Sequence, residues 1–520
     1  MEGYMKRFSQ TLAAIFIAGA LLFAPVALPQ EAAPQVLGQS SARMLQPDFV
    51  SGEIVFTLKH SYPALQLCQE YGLELNLEKE NVSRLKNIRS PQERIHLAKT
   101  SQDLDELLER LNQDPRIDYA EKRYVYTVEP DRVQQCTAIA PLIAPAQDSL
   151  RLNQWGLRAM QVPESGVQSN ALVAVVDTGV NPITPELAAN IVGGYDFFNN
   201  SSDYSDTVGH GTYVAATIAG RYGVGRFKIL AQKAYAGRNS SGQALIDSVA
   251  AAEAIRDAVD KGAKVINLSF GGKGDTPKSQ LRAIQYAGEQ GVLCVAGSGN
   301  DRIDTSDVGF SPATCGEWNM ISVAATELSD PSNLDSERFA SYSNWGRHTI
   351  QVTAPGSVFS EESTESTYVF RSGTSYAAPF VSGIAAWAFE IYPDARMVKE
   401  VILSTTDTLA LLSDKVAAAG RINARRVASA ERNSDPQVSI ASQFQGTKKT
   451  PLNISLVLSN PSQGAFRFRW EFGDGKIEDT DASIVTHTYK KKKAYQLVCT
   501  ATYFTGRTYT LNTIVTITKK

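Results

Sequence analysis

LVAVVD, residues 172–177, is a near-continuous apolar run closed by a carboxylate, and how it is read decides the architecture of the chain. Three further runs share its character: FKILAQKAY (227–235), AKVINLSF (263–270) and GVLCVAG (291–297). Such runs are expected of strands buried on both faces of a parallel sheet. Helix-like stretches lie between them, among them IDSVAAAEAIRDAVDKG (246–262) and KSQLRAIQYAGEQG (278–291), each closing on a glycine suited to a helix terminus. Strand and helix alternate from about Asn153 to Arg432, which predicts a three-layer α/β domain built on a parallel sheet. Ligands of such sheets bind at the carboxyl ends of the strands. The chemistry should therefore follow the apolar runs.

Outward from this domain the patterns change. Residues 52–128 form a smaller α/β unit. In it, GEIVFTL (52–58) alternates as a strand, QDLDELLERLNQDP (102–115) is an amphipathic helix stopped by Pro115, and IDYAEKRYVYTV (117–128) is strand-like. Residues 129–148, with Pro130, Pro141 and Pro145, read as an exposed connector open to proteolysis. Beyond Pro436 come short alternating strands, LNISLVLS, FRFRWEF, YQLVCTATY and TYTLNTIVTI, with a turn at Gly473-Asp474-Gly475, which predicts a β-sandwich over 436–520. At the other end, Lys6 and Arg7 precede an apolar run from Thr11 to Leu28, the pattern of a secretory signal over 1–30. A membrane anchor is the competing reading of that run, and no later segment is long and apolar enough to span a bilayer.

Composition excludes little and supports a globular chain: 520 residues, 43% hydrophobic and 20% charged. A net charge of −3 gives no electrostatic case for nucleic-acid binding. Five cysteines without CxxC pairing argue against a zinc site, and Cys294–Cys315 is the one pair considered for a disulfide.

Four polar residues stand where the sheet should bind ligands. Asp177 ends its strand; taken alone it could equally close a turn. His210, in GHGTYVAATIAG (209–220), opens a helix whose small residues permit close packing; a structural histidine is the bland alternative. Ser375, in SGTSYAAPFVSGIAAWAF (372–389), lies at a helix start, where the dipole helps to stabilise negative charge and where serine also caps. Asn300, in SGND (298–301), could donate to an oxyanion or simply tolerate a turn. Together, in the order Asp, His, Ser, they form a constellation for nucleophilic acyl transfer. A lipase or esterase would need a G-x-S-x-G elbow followed by its histidine, and here His210 precedes Ser375.

VAVVDTGV, GHGTYVAATIAG, VINLSFGG, CVAGSGND, FASYSNWG, TAPG and SGTSYAAPFVSG resemble the subtilisin-like serine proteases in the order of that family, along 149–432. The resemblance implies a seven-stranded parallel α/β domain that hydrolyses peptide bonds through an acyl-enzyme. It implies Ser375 as nucleophile, His210 as general base, Asp177 as its orienting partner and Asn300 as oxyanion donor. It further matches Ser269-Phe270-Gly271 to the segment that pairs with substrate backbone, and Gly297, Gly309 and Asp301 to the primary specificity pocket. Tyr213 departs from the family, which often has a second histidine there, and SGNDRIDTSDVGF (298–310) carries extra residues. A catalytically silent binding protein would lack one of the four positions, and all four are intact.

Residues 52–128 are similar to the inhibitor-type propeptide of that family. This implies an intramolecular inhibitor, autoprocessing within Thr127–Ser149 and loss of Cys68, with Cys136 lost as well if the cut follows it. The C-terminal WEFGDGK (470–476) and His487-Thr488-Tyr489 resemble a polycystic-kidney-disease-type (PKD) domain, with Lys490–Lys493 as a solvated hairpin or a binding patch. The resemblance also raises structural calcium, for which Asp203, Asp206, Asp304 and Asp307 offer oxygens without forming a complete loop. The chemistry itself needs no cofactor. The expected partners are protein or peptide substrates, and the expected state is a secreted monomer, with periplasm and cell surface as alternatives.

Overall fold

The computed structural model describes residues 48–60, 62–77, 94–128, 132–135, 154–330, 333–361, 368–430, 437–440, 443–459, 465–480, 484–503 and 508–518. The signal segment and most of the connector lie outside the described residues.

The N-terminal unit comprises β1 (Phe49–Leu58), α1 (Ala64–Tyr71), β2 (Glu74–Leu75), β3 (His96–Lys99), α2 (Leu104–Gln113) and β4 (Ile117–Thr127). Its sheet order is β2-β3-β1-β4, antiparallel throughout. Asp103 caps α2 by accepting from the Asp105 and Glu106 amides, and Leu107 and Leu111, one turn apart, bury the apolar face on the sheet. The connector is not uniformly irregular: Arg132–Gln135 forms strand β5.

The central domain has the expected parallel core. Its strands are β6 (Val167–Asp177), β7 (Ile191–Asp196), β8 (Gly225–Lys233), β11 (Val265–Leu268), β12 (Leu293–Gly297), β13 (Met320–Leu328) and β14 (Val352–Pro355). Among the described residues these seven run parallel in the order β7-β8-β6-β11-β12-β13-β14, and Gly420–Arg421 extends the β14 edge. Alternate residues of β6 face opposite layers: Val173 and Val175 pack with α3 (His210–Ala219) and α6 (Thr374–Ala388), while Ala174 and Val176 pack with α4 (Ser248–Asp260) and α5 (Lys278–Glu289). Burial on both faces is why these strands read as apolar runs.

One boundary differs from the sequence reading. Ile246 and Asp247 belong not to a helix but to β10 (Ala244–Asp247), which pairs antiparallel with β9 (Tyr235–Arg238). Their backbone is drawn into sheet pairing, and the Asp247 carboxylate accepts from the Ala250 amide, so α4 begins after it.

A hairpin of β15 (Ser357–Glu361) and β16 (Tyr368–Ser372) leads directly into α6. The C-terminal region forms two sheets. One is β17 (Gln437–Ile440), β19 (Leu452–Ser459) and β22 (Ile484–His487). The other has the order β18 (Gln443–Thr447), β24 (Thr508–Thr518), β23 (Ala494–Tyr503), β20 (Ala465–Glu471), β21 (Ile477–Thr480). Trp470, Phe472, Tyr489 and Leu497 fill the core between them. The Gly473-Asp474-Gly475 turn is locked by His487, which stacks on Phe472 with ring centroids 3.8 Å apart and contacts the Asp474 carboxylate at 2.9 Å.

Candidate active site

Asp177 closes β6 and is fully buried, so its carboxylate survives there only with partners. Oδ1 lies 2.8 Å from His210 Nδ1 and also accepts from the Thr178 amide. The helix that carries His210 reaches this close because Gly211 has no side chain. A Cβ there would stand 2.3 Å from the Gly179 carbonyl oxygen and 2.9 Å from Asp177 Cβ. The turn ahead of α3 is held by Asp206, whose carboxylate accepts from the Val208, Gly209 and Thr212 amides and from the Thr212 hydroxyl. With Nδ1 committed to Asp177, Nε2 points to the opposite side of the ring. The imidazole lies beside Tyr376, the residue after Ser375, with ring centroids 5.9 Å apart.

Ser375 sits in the first turn of α6, after Gly373. Its hydroxyl donates to the Ser269 carbonyl at 3.1 Å, and the Ser269 hydroxyl donates to the Ser375 carbonyl at 2.8 Å. Asn267 and Ser382 continue this chain of hydrogen bonds, clamping the end of β11 onto α6. Asn300 follows β12. Its amide oxygen accepts from the Thr374 amide at 2.9 Å and the Thr374 hydroxyl at 3.1 Å, so Nδ2 is the group left to offer a ligand. Aspartate, histidine, serine and asparagine thus meet at the carboxyl edge of one sheet.

Beside them is a cavity of about 240 Å³, lined by Ser269, Phe270, Gly271, Gly297, Asn300, Asp301 and Ser375, among others. Gly309 is not part of this lining; its neighbour Phe310 is. The Phe310 ring fills the space left open at Gly271 and Gly299, where a Cβ would come within 2.4 Å of ring carbons. Asp301 is at the cavity, but Lys273 Nζ lies 3.1 Å from its carboxylate. The negative charge of Asp301 is therefore already paired.

Cys294 and Cys315 are free thiols, which removes the disulfide considered for them. Both are kept protonated by burial, which pushes Cys315 up to about 12. Three of the carboxylates considered for calcium make local hydrogen bonds. Asp206 holds the His210 turn, Asp203 accepts from Ser205 and Asp304 caps Ser306. Among the described residues no three His, Cys, Asp or Glu side chains gather to hold a metal ion.

The comparisons with known proteins agree with this geometry. The Subtilase family model matches residues 168–439, and a PKD domain model matches 433–518. The chain belongs to the subtilase family.

Among its relatives, a thermophilic serine proteinase of Bacillus sp. (strain AK1) is 32% identical over 317 residues, 59% of this chain and 71% of that protein. Thermitase of Thermoactinomyces vulgaris is 34% identical over 282 residues, 52% of this chain and 94% of that protein. In fold, the chain is similar to fervidolysin from Fervidobacterium pennivorans, with a TM-score of 0.58 at 19% identity, covering 87% of this chain and 71% of that one. This subtilase is thus a hydrolase with subtilisin-like serine protease activity, followed by a PKD domain.

Sequence reasoning missed how thoroughly the cleft of this subtilase is occupied by its own N-terminal residues. β4 adds to β10, pairing Tyr126 with Ile246, and the Val128 amide donates to the Ala244 carbonyl. The Tyr126 ring packs on Phe270 with centroids 5.5 Å apart, and its hydroxyl lies 2.7 Å from both Gln280 Oε1 and Ser311 Oγ. Glu121 accepts from the Lys278 and Ser279 amides at the start of α5, a carboxylate on the positive end of a helix. Arg123 bridges Glu53 and Asp247, each at 2.6 Å. None of these contacts has a local signal, because each joins residues more than 60 positions apart in the chain.

Proposed function

We propose that this subtilase is a secreted serine endopeptidase made as an autoprocessed zymogen, with Ser375 as nucleophile, His210 as general base and Asp177 as its orienting partner. The observation that carries the reading is the buried Asp177–His210 contact of 2.8 Å, with the imidazole beside the helix start that presents Ser375.

The mechanism follows from the atoms. The Ser375 hydroxyl rests on the Ser269 carbonyl, so the first event is a χ1 rotation that turns it to His210 Nε2. His210 takes the proton as Oγ attacks the scissile carbonyl, and the C–O bond forms as the carbonyl π electrons move to oxygen. Asn300 Nδ2 and the Ser375 amide donate to that oxyanion, helped by the N-terminal end of α6. The protonated His210 then gives its proton to the leaving amine as the C–N bond breaks. Water, deprotonated by His210, repeats the sequence on the acyl-enzyme. Asp177 fixes the tautomer and steadies the imidazolium throughout.

The strand pairing of β4 with β10 and the burial of Tyr126 support residues 52–128 as an inhibitor bound in the manner of substrate. The chain is held by β10 up to Val128 and by β16 from Arg132. Processing between those anchors is the expectation within Thr127–Ser149, most of which lies outside the described residues. Export rests on the basic and apolar pattern of residues 1–30; among the described residues no helix is long and apolar enough to cross a membrane. The groups named here complete the reaction without a cofactor, the substrates are proteins or peptides, and the enzyme works as a monomer.

The test is casein hydrolysis by the purified protein, with and without phenylmethylsulfonyl fluoride, beside Ser375→Ala. The expected result is loss of activity in both cases and a sulfonyl adduct on Ser375 by peptide mass mapping. Undiminished hydrolysis by Ser375→Ala would defeat the assignment.

A further inference from the structure

Asp247 is fully buried at the junction of β10 and α4, and its two oxygens have different work. Oδ1 accepts from the Ala250 amide and caps α4. Oδ2 takes its partner from the N-terminal unit: Arg123 Nε donates to it at 2.6 Å. The same guanidinium lies over the Phe198 ring, 5.4 Å from its centre, and its Nη1 donates to Glu53 at 2.6 Å. Asp247 and Phe198 belong to the central domain, whereas Arg123 and Glu53 belong to the N-terminal unit.

The cap satisfies one oxygen of Asp247, and a carboxylate this deep is costly without a cation on the other. The seat is held by the fold rather than by its occupant. The Asp247 amide donates to the Ala234 carbonyl, and the Phe198 amide donates to Asp196 Oδ1. A planar guanidinium suits the pair, because its face can lie on the ring while an edge N–H meets the carboxylate. Its place along the bound strand is defined as well. β4 pairs with β10 from Val125, opposite Asp247, to Thr127, opposite Leu245, and Tyr126 between them fills a pocket of its own. Arg123 stands three residues before Tyr126.

We propose that Asp247 and Phe198 form a guanidinium seat in the mature enzyme, which selects substrates carrying an arginine three residues before the side chain that enters the Tyr126 pocket. The N-terminal unit fills this seat with Arg123, and a substrate arginine takes the place when that unit has left. This inference rests on the proteolytic reading and names a feature of the substrates such an enzyme prefers.

The experiment uses the matured product of the full chain, with active enzyme counted by sulfonyl labelling of Ser375. Its substrates are peptides spanning residues 118–152 with arginine, citrulline or alanine at position 123. Citrulline keeps the shape of arginine and lacks its charge. The expected result is a kcat/KM about tenfold or more higher for arginine than for citrulline, with alanine no better than citrulline. Asp247→Asn keeps an oxygen for the Ala250 amide and should bring the arginine-to-citrulline ratio close to one. A wild-type ratio below about tenfold overturns the seat, and so does a ratio that Asp247→Asn leaves unchanged. Where that variant yields no soluble enzyme, Phe198→Leu takes its place: it should lower the ratio, and an unchanged ratio overturns the seat. If all the peptides are cut alike, the seat alone fails; if none is cut, the proteolytic reading fails with it.

Discussion

The two flanks of Ser375 both hold chain by antiparallel strand pairing, and on the β10 flank side-chain pockets accompany the ladder. On the β10 side the ladder between β4 and β10 is accompanied by side-chain contacts: Tyr126 fills a pocket with a polar floor, Glu121 sits on a helix terminus and Arg123 lies between two carboxylates. On the β16 side the described contact is a backbone ladder. Side-chain pockets discriminate, because a wrong residue leaves buried polar groups unpaired. A backbone ladder holds without discriminating. The difference teaches that selectivity should reside on the β10 flank, where buried side chains accompany the ladder.

The largest effect should come where the flanks meet. Ser375→Ala is expected to lower turnover by roughly 10³-fold or more and to leave the chain unprocessed, seen as a single full-length band. Processing at the normal site in that variant would show that another protease does the work. Asn300→Ala should lower kcat by about 10²–10³ with KM nearly unchanged, since it removes a donor that acts in the transition state. An equal loss for substrates extended on either side would keep the centre separate from the flanks.

Glu121→Ala tests the side-chain flank. It strips two charge-assisted bonds from the start of α5 and should weaken inhibition by the N-terminal unit by roughly tenfold or more, read as a shorter latent period after processing. An unchanged latent period would move the grip to the backbone on this flank too. Lys273→Ala should give a smaller shift. Freed of its partner, Asp301 should raise kcat/KM by several-fold for peptides with lysine or arginine entering the cavity, an effect weakened by salt because the pair is partly exposed.

The smallest effect lies away from both flanks. Lys399 is buried with Nζ on the Trp318 and Met320 carbonyls, and burial lowers its pKa to about 7. Its folded pKa is below its unfolded value, so between about pH 7 and 10 the unfolded chain holds more protons and stability rises with pH. In a Ser375→Ala background, Tm should climb by a few degrees over that window, and Lys399→Met should flatten the climb. An identical slope in the variant would exclude Lys399 as its source.

Much of the fold was legible because burial on both faces of a parallel sheet leaves a local mark. LVAVVD and GVLCVAG had to be apolar throughout, and their ends had to carry the polar groups. The four polar positions were legible for the same reason, each next to a strand end or helix start with small residues around it. Gly309 was misplaced because sequence shows that a small residue is present, not which neighbour turns toward a cavity. Asp301 was matched to the pocket without its partner because Lys273, 28 positions earlier, gives no sign of facing it.

The amino-acid order alone determined the succession of α/β unit, parallel α/β domain and β-sandwich, since periodicity and turn residues act over a few positions. Only the folded chain decided that β10 and β16 flank the serine as two unlike edges, that Asp301 is paired, and that Ile246 and Asp247 are strand. Those outcomes depend on contacts between segments far apart in sequence. Such contacts form when burial and hydrogen bonding compensate the entropy of bringing distant segments together, a balance that no local pattern records.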